Sequence, residues 1–251
     1  MIPILWHIEL SHYSEKARWA LDYKGVEHVR RVPLVGFHQV AAMALTRSRH
    51  RRMPVLQLDG RSIGDSTAII AALESIQPQP ALYPVDAEER ARAIELEDWF
   101  DEQLGPYTRF LAFHELINEP ELFADVASRV VPGALGRMKP VVGAYARTFT
   151  SIRWGARDKD AAVTAREKIV AAIDKLESEL EADEGEYLVG DRFSVADLTA
   201  ASLFYPLVAP AEGPTPPDTP RPPAFDRFRE SLSDRRGFKW VEETFRRHRR
   251  R

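Results

Sequence analysis

Residues Met53 to Ile70 read MPVLQLDGRSIGDSTAII. Pro54 brings no backbone N–H, which predicts a strand start or an edge there. Val55 to Leu58 is a short strand run. Asp59-Gly60 predicts a tight two-residue hairpin turn, in which both central residues reach positive φ. Arg61 to Ile63 is then the return strand. Asp65, Ser66 and Thr67 precede an apolar run, Ala68 to Ile70 with Ala72, Leu73 and Ile76, that predicts a helix. The unsatisfied N–H groups and positive dipole end at that helix start favour a carboxylate. A Ser hydroxyl adds a donor, and Asp65 can pair with an ammonium. A ligand with a free carboxylate and a free amine on one carbon suits this corner. The same residues also read as a plain N-cap.

Composition sets the bounds. The chain has 251 residues, 44% hydrophobic and 29% charged, enough for one large or two modest domains. A net charge of -3 gives no global field for nucleic acid. No apolar run reaches the roughly 18 residues of a membrane span. Met1 to Leu10 lacks a basic n-region and contains Glu9, a poor signal peptide. There is no cysteine, which excludes disulfides, zinc thiolates and a cysteine nucleophile. The histidines show no paired metal spacing, so no metal is expected. A cytoplasmic location is the expectation.

The patterning changes along the chain. Ile2, Ile4, Trp6 and Ile8 alternate as a strand does. A polar turn, Ser11-His12-Tyr13-Ser14, opens a helix to about Lys24, with Gly25 just past its end. Glu27 to Val32 is a second strand; the region 35–52 gives the weakest pattern. Strand, helix, strand, then helix, hairpin, helix predicts a small α/β sandwich over residues 1–78. The Pro-rich stretch at 79–86 reads as a linker, and 87–251 reads as all helical. Within it, Ala87 to Ile117 is a long helix that Gly105-Pro106 kinks or breaks. Glu121 to Trp154 reads as helical with an interruption at Pro132-Gly133, and Asp160 to Ala182 has the cleanest helical repeat. Ser194 to Asp197 is a capping box, with Phe193 as its hydrophobic staple. Residues 206–223 hold eight of the eighteen prolines and predict an extended loop. Ala224 to Leu232 and Phe238 to Arg247 are short helices.

Three motifs in this order resemble the cytosolic glutathione transferase family. Ser11-His12-Tyr13-Ser14-Glu15-Lys16-Ala17-Arg18 is similar to the family's S-P-F-S-x-K-V-R turn and first helix. Met53-Pro54-Val55-Leu56, followed by Gly64-Asp65-Ser66-Thr67-Ala68-Ile69, is similar to its V-P-V-L … E-S-x-A-I pattern. Leu188 to Asp197 is close to its L-x-G-D-x-F-S-x-A-D capping box. The resemblance implies an α/β plus all-α architecture: a thioredoxin-like N-terminal domain (βαβ-αββα) and an all-helical C-terminal domain. It implies a cis bond before Pro54 and glutathione as co-substrate. Met53 would meet the cysteinyl part through its backbone, as an added strand does. Asp65 and Ser66 would hold the γ-glutamyl amine and carboxylate. Arg52 occupies a slot where members often carry a basic or amide side chain. His38 lies about where some classes reach the glycine carboxylate.

The resemblance also assigns the reacting end. Ser11 matches the hydroxyl of the Ser-type, bacterial-like classes, and the nucleophile is the sulfur of glutathione. A free thiol has a pKa near ~8.5. A hydrogen bond to a charged acceptor is worth roughly 1.5–3 kcal/mol, or about one to two pKa units. The helix N-terminus acts in the same direction. Tyr13 and Ser14 compete for the role, although the aromatic in this motif usually packs inward and Ser14 also reads as an inert first-turn residue. His12 stands where the family commonly has proline. Ser rather than Cys at position 11 disfavours thiol-transfer and reductive dehalogenation.

A hydrophobic electrophile, or a peroxide to be reduced, would bind between the domains. Tyr107, Phe110, Phe113 and His114 are candidates for that pocket, with Trp6 and His7; an aromatic stripe at helical spacing also reads as core. The resemblance implies a homodimer. Two alternatives stay open: a non-catalytic binding protein of the same fold, and a transferase that uses another low-molecular-weight thiol. The basic run Arg47, Arg49, Arg51 and Arg52 reads either as an attractor of acidic peptide or as a solvated loop. The tail from Arg246 to Arg251 reads as a frayed, solvated terminus. No nucleic-acid or membrane partner is expected.

Overall fold

The computed structural model describes residues 2–34, 36–130, 143–144, 147–148, 150–151, 155–182, 185–215 and 219–249. Strand β1 (Ile4–Trp6) runs parallel to β2 (Val29–Arg31) and antiparallel to β3 (Val55–Leu58), which pairs antiparallel with β4 (Arg61–Gly64). The order across the sheet is β2-β1-β3-β4. Asp59 and Gly60 have φ of 46° and 76°, the turn that the sequence predicts. Helix α1 (His12–Tyr23) crosses from β1 to β2 and ends against Gly25, whose φ is 64°. Helix α2 (His38–Thr46) fills part of the weakly patterned 35–52 region, and α3 (Ser66–Ile76) follows β4.

Side-chain alternation divides the sheet between two layers. Leu5 and Leu56 join Ala17, Leu21, Ile69 and Leu73 of α1 and α3 in the main core. Trp6 and Val55 point the other way and pack with Ala42 and Leu45 of α2. The helical half begins with α4 (Ala87–Gln103) and α5 (Gly105–Ile117). The predicted long helix is thus two helices, broken at Leu104. Then come α6 (Pro120–Val130), α7 (Lys159–Ala182), α8 (Val195–Val208), α9 (Pro223–Glu230) and α10 (Arg236–His248). The predicted interruption at Pro132-Gly133 lies outside the described residues.

Helix α8 is the central post, buried along nearly its whole length and packed on α1, α4, α5 and α10. Its start is a complete capping box: Asp197 accepts the Ser194 and Leu188 N–H groups, and the Ser194 side chain caps the first turn. Two expectations need correction. Pro206 lies inside α8, in its last turn, so the extended segment begins only after Ala209 closes the helix in the left-handed region at φ 47°. The tail is not solvated throughout. Arg249 is buried, its guanidinium paired with Glu15 and Asp22 of α1, and the Trp19 indole N–H donates to the His248 carbonyl. A buried charge persists in that place because two carboxylates meet it.

Candidate active site

Two helix N-termini and one strand end converge on the corner that the sequence singles out. Ser11 is the N-cap of α1, half-buried, with extended φ and ψ of -83° and 123°. Its Oγ accepts the Ser14 N–H at 3.2 Å, and its hydroxyl proton has no acceptor among the described residues. Tyr13 and Ser14 are both committed elsewhere. The Tyr13 hydroxyl donates to the Asp101 carbonyl at 2.8 Å, and burial, with the Asp101 charge adding, raises its pKa. Ser14 is buried, and its Oγ accepts the Ile8 N–H, tightening the turn after β1. His12 is buried and hydrogen-bonded to the Gly105 carbonyl at 2.8 Å. Burial, with the Arg109 charge in support, depresses its pKa to about 3, so it is a neutral donor.

The Met53–Pro54 bond is cis. Neither backbone polar group of Met53, two residues ahead of β3, has a partner among the described residues, so both can pair with an added extended segment. Asp65 caps α3 with φ at 79°, a region that costs an L-residue of order 1–3 kcal/mol. One carboxylate oxygen, Oδ1, takes the Thr67 and Ala68 N–H groups at 3.0 and 3.3 Å. Ile69 N–H goes to the Asp65 carbonyl. That leaves Oδ2 of an exposed Asp65 and the N–H and hydroxyl of Ser66 without intramolecular partners among the described residues. An acceptor for an ammonium therefore lies beside two donors for a carboxylate.

Beneath this corner sits a buried ionic cluster that sequence patterning does not reveal. The Lys16 ammonium donates to Thr67 Oγ1 at 2.9 Å and Asp101 Oδ2 at 2.7 Å, and lies 2.9 Å from Glu97 Oε1. Burial opposes its charge, and the Asp101 and Glu97 carboxylates outweigh burial, so its pKa is raised. Thr67 in the first turn of α3 is thereby tied to α1 and to α4. One Lys between two carboxylates leaves a surplus negative charge under the cap.

The remaining candidates are scattered. Arg52 is exposed, and its charge acts on the Tyr13 hydroxyl, as does that of Asp65. His38 begins α2, half-buried and bonded to the Leu34 carbonyl; burial lowers its pKa. Trp6 lies under α2 with its indole N–H on Gln57 Oε1 at 2.8 Å. His7 is buried on the other flank of α1, where its Nδ1 lies 2.7 Å from Arg18. Burial first, then the Arg18 charge, lowers its pKa to about 4. A cleft of about 520 Å³ opens there, lined by His7, Arg18, Arg30, Glu212 and Arg249.

On α5, Tyr107 faces the Lys168 ammonium, 5.8 Å from its ring centroid. Phe110 stacks on His114, whose Nδ1 donates to the Ala156 carbonyl at 2.9 Å, and Phe113 packs into the cluster of Ile117 and Phe123. The α5 side chain that stands over the first turn is Arg109, its guanidinium 5.8 Å from the Tyr13 ring. Sequence reasoning missed it because a lone Arg on a helix carries no motif. Nearby, the Tyr205 hydroxyl bridges Leu10 O and Thr215 Oγ1, which fastens the proline-rich segment beside the β1–α1 turn.

Comparison with known proteins agrees with this geometry. Residues 5–81 match the family model described as glutathione S-transferase, N-terminal domain, and residues 134–235 match the glutathione S-transferase, C-terminal domain. The maleylacetoacetate isomerase of Rattus norvegicus is 25% identical over 213 residues, which is 84% of this chain and 78% of that protein. Among solved structures, a glutathione transferase from Phanerochaete chrysosporium superposes with a TM-score of 0.63 at 19% identity, covering 98% of this chain and 96% of the other. A bacterial maleyl pyruvate isomerase, described as a zeta-class glutathione S-transferase, gives 0.62 at 21% identity, covering 98% and 95%. At these identities the structures speak for the fold alone. The two family models together span most of the chain, one on each half: the chain belongs to the glutathione S-transferase family, enzymes whose co-substrate is glutathione.

Proposed function

We propose that Ser11 donates its hydroxyl proton in a hydrogen bond to the sulfur of bound glutathione and holds it as a thiolate. The observation that carries this reading is the divided use of the first turn. Tyr13 spends its proton on Asp101 and Ser14 is fully buried with its oxygen on Ile8, while Ser11 is only half-buried and keeps its proton at a helix N-terminus. Asp65 Oδ2 takes the γ-glutamyl ammonium, and the Ser66 N–H and hydroxyl take the adjoining carboxylate. The backbone of Met53 pairs with the cysteinyl residue. Arg52 and His38 serve the glycine carboxylate. The N-terminal unit, 1–78, thus holds the thiol, and the helical unit, 87–251, supplies the wall that faces it. The thiolate attacks an electrophilic carbon of a hydrophobic substrate; the C–S bond forms as the leaving group departs with its electron pair. Peroxide reduction by the same thiolate is the related outcome. The chain acts as a homodimer in the cytoplasm.

The relatives named maleylacetoacetate isomerase favour a second reading. There the thiolate adds to a conjugated double bond, the new single bond rotates, and the thiolate is expelled. Glutathione is then regenerated rather than consumed. Turnover of an electrophile panel, with free thiol followed alongside product, separates the two. Stoichiometric thiol loss supports conjugation, and product without thiol loss supports isomerisation. Failure of calorimetry to detect glutathione binding would sink both.

A further inference from the structure

From His28 to Leu58 the chain carries six arginines and no aspartate or glutamate. That segment is +6 in a chain whose net charge is -3, which leaves -9 for everything else. It builds β2, α2 and β3, and α2 covers the sheet face opposite α1 and α3. Arg30 turns to the α1 side, where it meets Asp22, while Arg31 lies over Trp6 and the four arginines of 47–52 follow α2, so five of the six charges gather on the α2 layer. All six arginines are exposed, and among the described residues only Arg30 is ion-paired, to Asp22.

Large apolar side chains stand on the same layer. Leu34, Phe37 and Val40 are 66%, 60% and 57% exposed. Phe37 and Val40 are one turn apart, and Ala44 and Arg47 continue their row. The row runs into the loop Arg47 to Arg52, whose backbone is fixed. Thr46 Oγ1 accepts the His50 N–H at 3.0 Å, and Arg47 and Ser48 take left-handed φ of 53° and 65°. These apolar side chains are each more than half exposed, and none of them lines the clefts of about 520 and 200 Å³ beside Arg18 and beside Trp240. An acidic peptide needs a groove to bury its own side chains. A fluid lipid surface does not, because headgroups and chain ends move aside for protruding apolar groups.

We propose that this face docks on an anionic lipid surface. Leu34, Phe37 and Val40 enter the boundary between headgroups and acyl chains, and Arg31, Arg47, Arg49 and Arg51 meet the lipid phosphates. The negative remainder of the molecule is repelled, which fixes the orientation. No described helix is long and apolar enough to cross a membrane, and peripheral docking needs none.

The test is co-sedimentation of the full chain with vesicles of phosphatidylcholine, alone or mixed with phosphatidylserine. Binding is expected to the mixed vesicles only and to fall as salt is raised. The double variants Phe37→Ser with Val40→Ser, and Arg49→Glu with Arg51→Glu, should each lower partitioning about tenfold or more, with the melting midpoint and turnover of a soluble substrate unchanged. Absence of binding to the mixed vesicles at low salt, or equal binding by the variants, overturns the proposal. Retention on a polyglutamate column without vesicle binding would assign the face to an acidic protein. A dimer-to-monomer change by light scattering in the Phe37→Ser, Val40→Ser variant would assign it to a second copy.

Discussion

The Tyr13 hydroxyl occupies the space where a side chain on Gly105 would begin. A Cβ built on Gly105 falls against the phenol oxygen and 2.7 Å from its Cζ. The break between α4 and α5 is therefore a seat. Its carbonyl receives His12, its bare Cα admits Tyr13, and the first turn of α1, with Ser11 at its head, is set against the helical half. Gly105→Ala should push Tyr13 out and destabilise the fold by about 1–3 kcal/mol. Urea denaturation checks this, with Ala112→Ser on the same helix as a control. Wild-type stability would mean that the seat relaxes freely.

Acid should loosen the same junction. His7 and His12 are held neutral, with pKa values near 4 and 3. The unfolded chain protonates them near ~6.5. Between about pH 6.5 and 4 the unfolded state binds more protons, so stability falls as pH falls, by up to about 1.4 kcal/mol per pH unit for each. Asp197 acts in the opposite sense. Burial raises its pKa to about 6, against hydrogen bonds from Leu188 and Ser194, so its protonation favours the fold on acidification below about pH 6. Two histidines outweigh one aspartate. Unfolding midpoints should drop between pH 6 and 4, and His12→Gln, which keeps a donor toward Gly105, should flatten the slope. An equal slope in that variant would remove His12 from the explanation.

Arg249 should behave as an interior residue. Arg249→Ala leaves Asp22 with Arg30 and Glu15 with Arg18 alone, and removes the cation 5.9 Å from the Trp19 ring. Loss of one partner from a buried ion pair costs on the order of 3 kcal/mol. A fall of several degrees in the melting midpoint is expected by calorimetry; an unchanged midpoint would restore the solvated tail.

The sheet half was the more legible part of the chain, because its signals are local. Asp59-Gly60 requires positive φ, Pro54 requires a strand start, and Asp65 caps a helix wherever that helix packs. The capping box at Ser194 is legible for the same reason. The pocket assignments depended on which way a side chain turns. Trp6 ends β1 and His7 follows it, and the two point to opposite faces, one under α2 and the other into the Arg18 cluster. Tyr107, Phe110, Phe113 and His114 repeat as a helix stripe does, and that spacing is the same for core and for binding surface. The Lys16–Asp101–Thr67 link joins residues 85 and 51 positions apart, and Arg249 reaches back 234 positions to Glu15. No local pattern encodes such pairings.

The role of Ser11 is open to a direct reading through the ultraviolet absorbance of thiolate. Glutathione bound to the wild-type protein, titrated with pH, should show a sulfur pKa below its free value. In Ser11→Ala that pKa should rise by about one to two units, with calorimetric affinity for S-methylglutathione kept. A bound-thiol pKa in Ser11→Ala equal to that of the wild type would contradict thiolate stabilisation by Ser11.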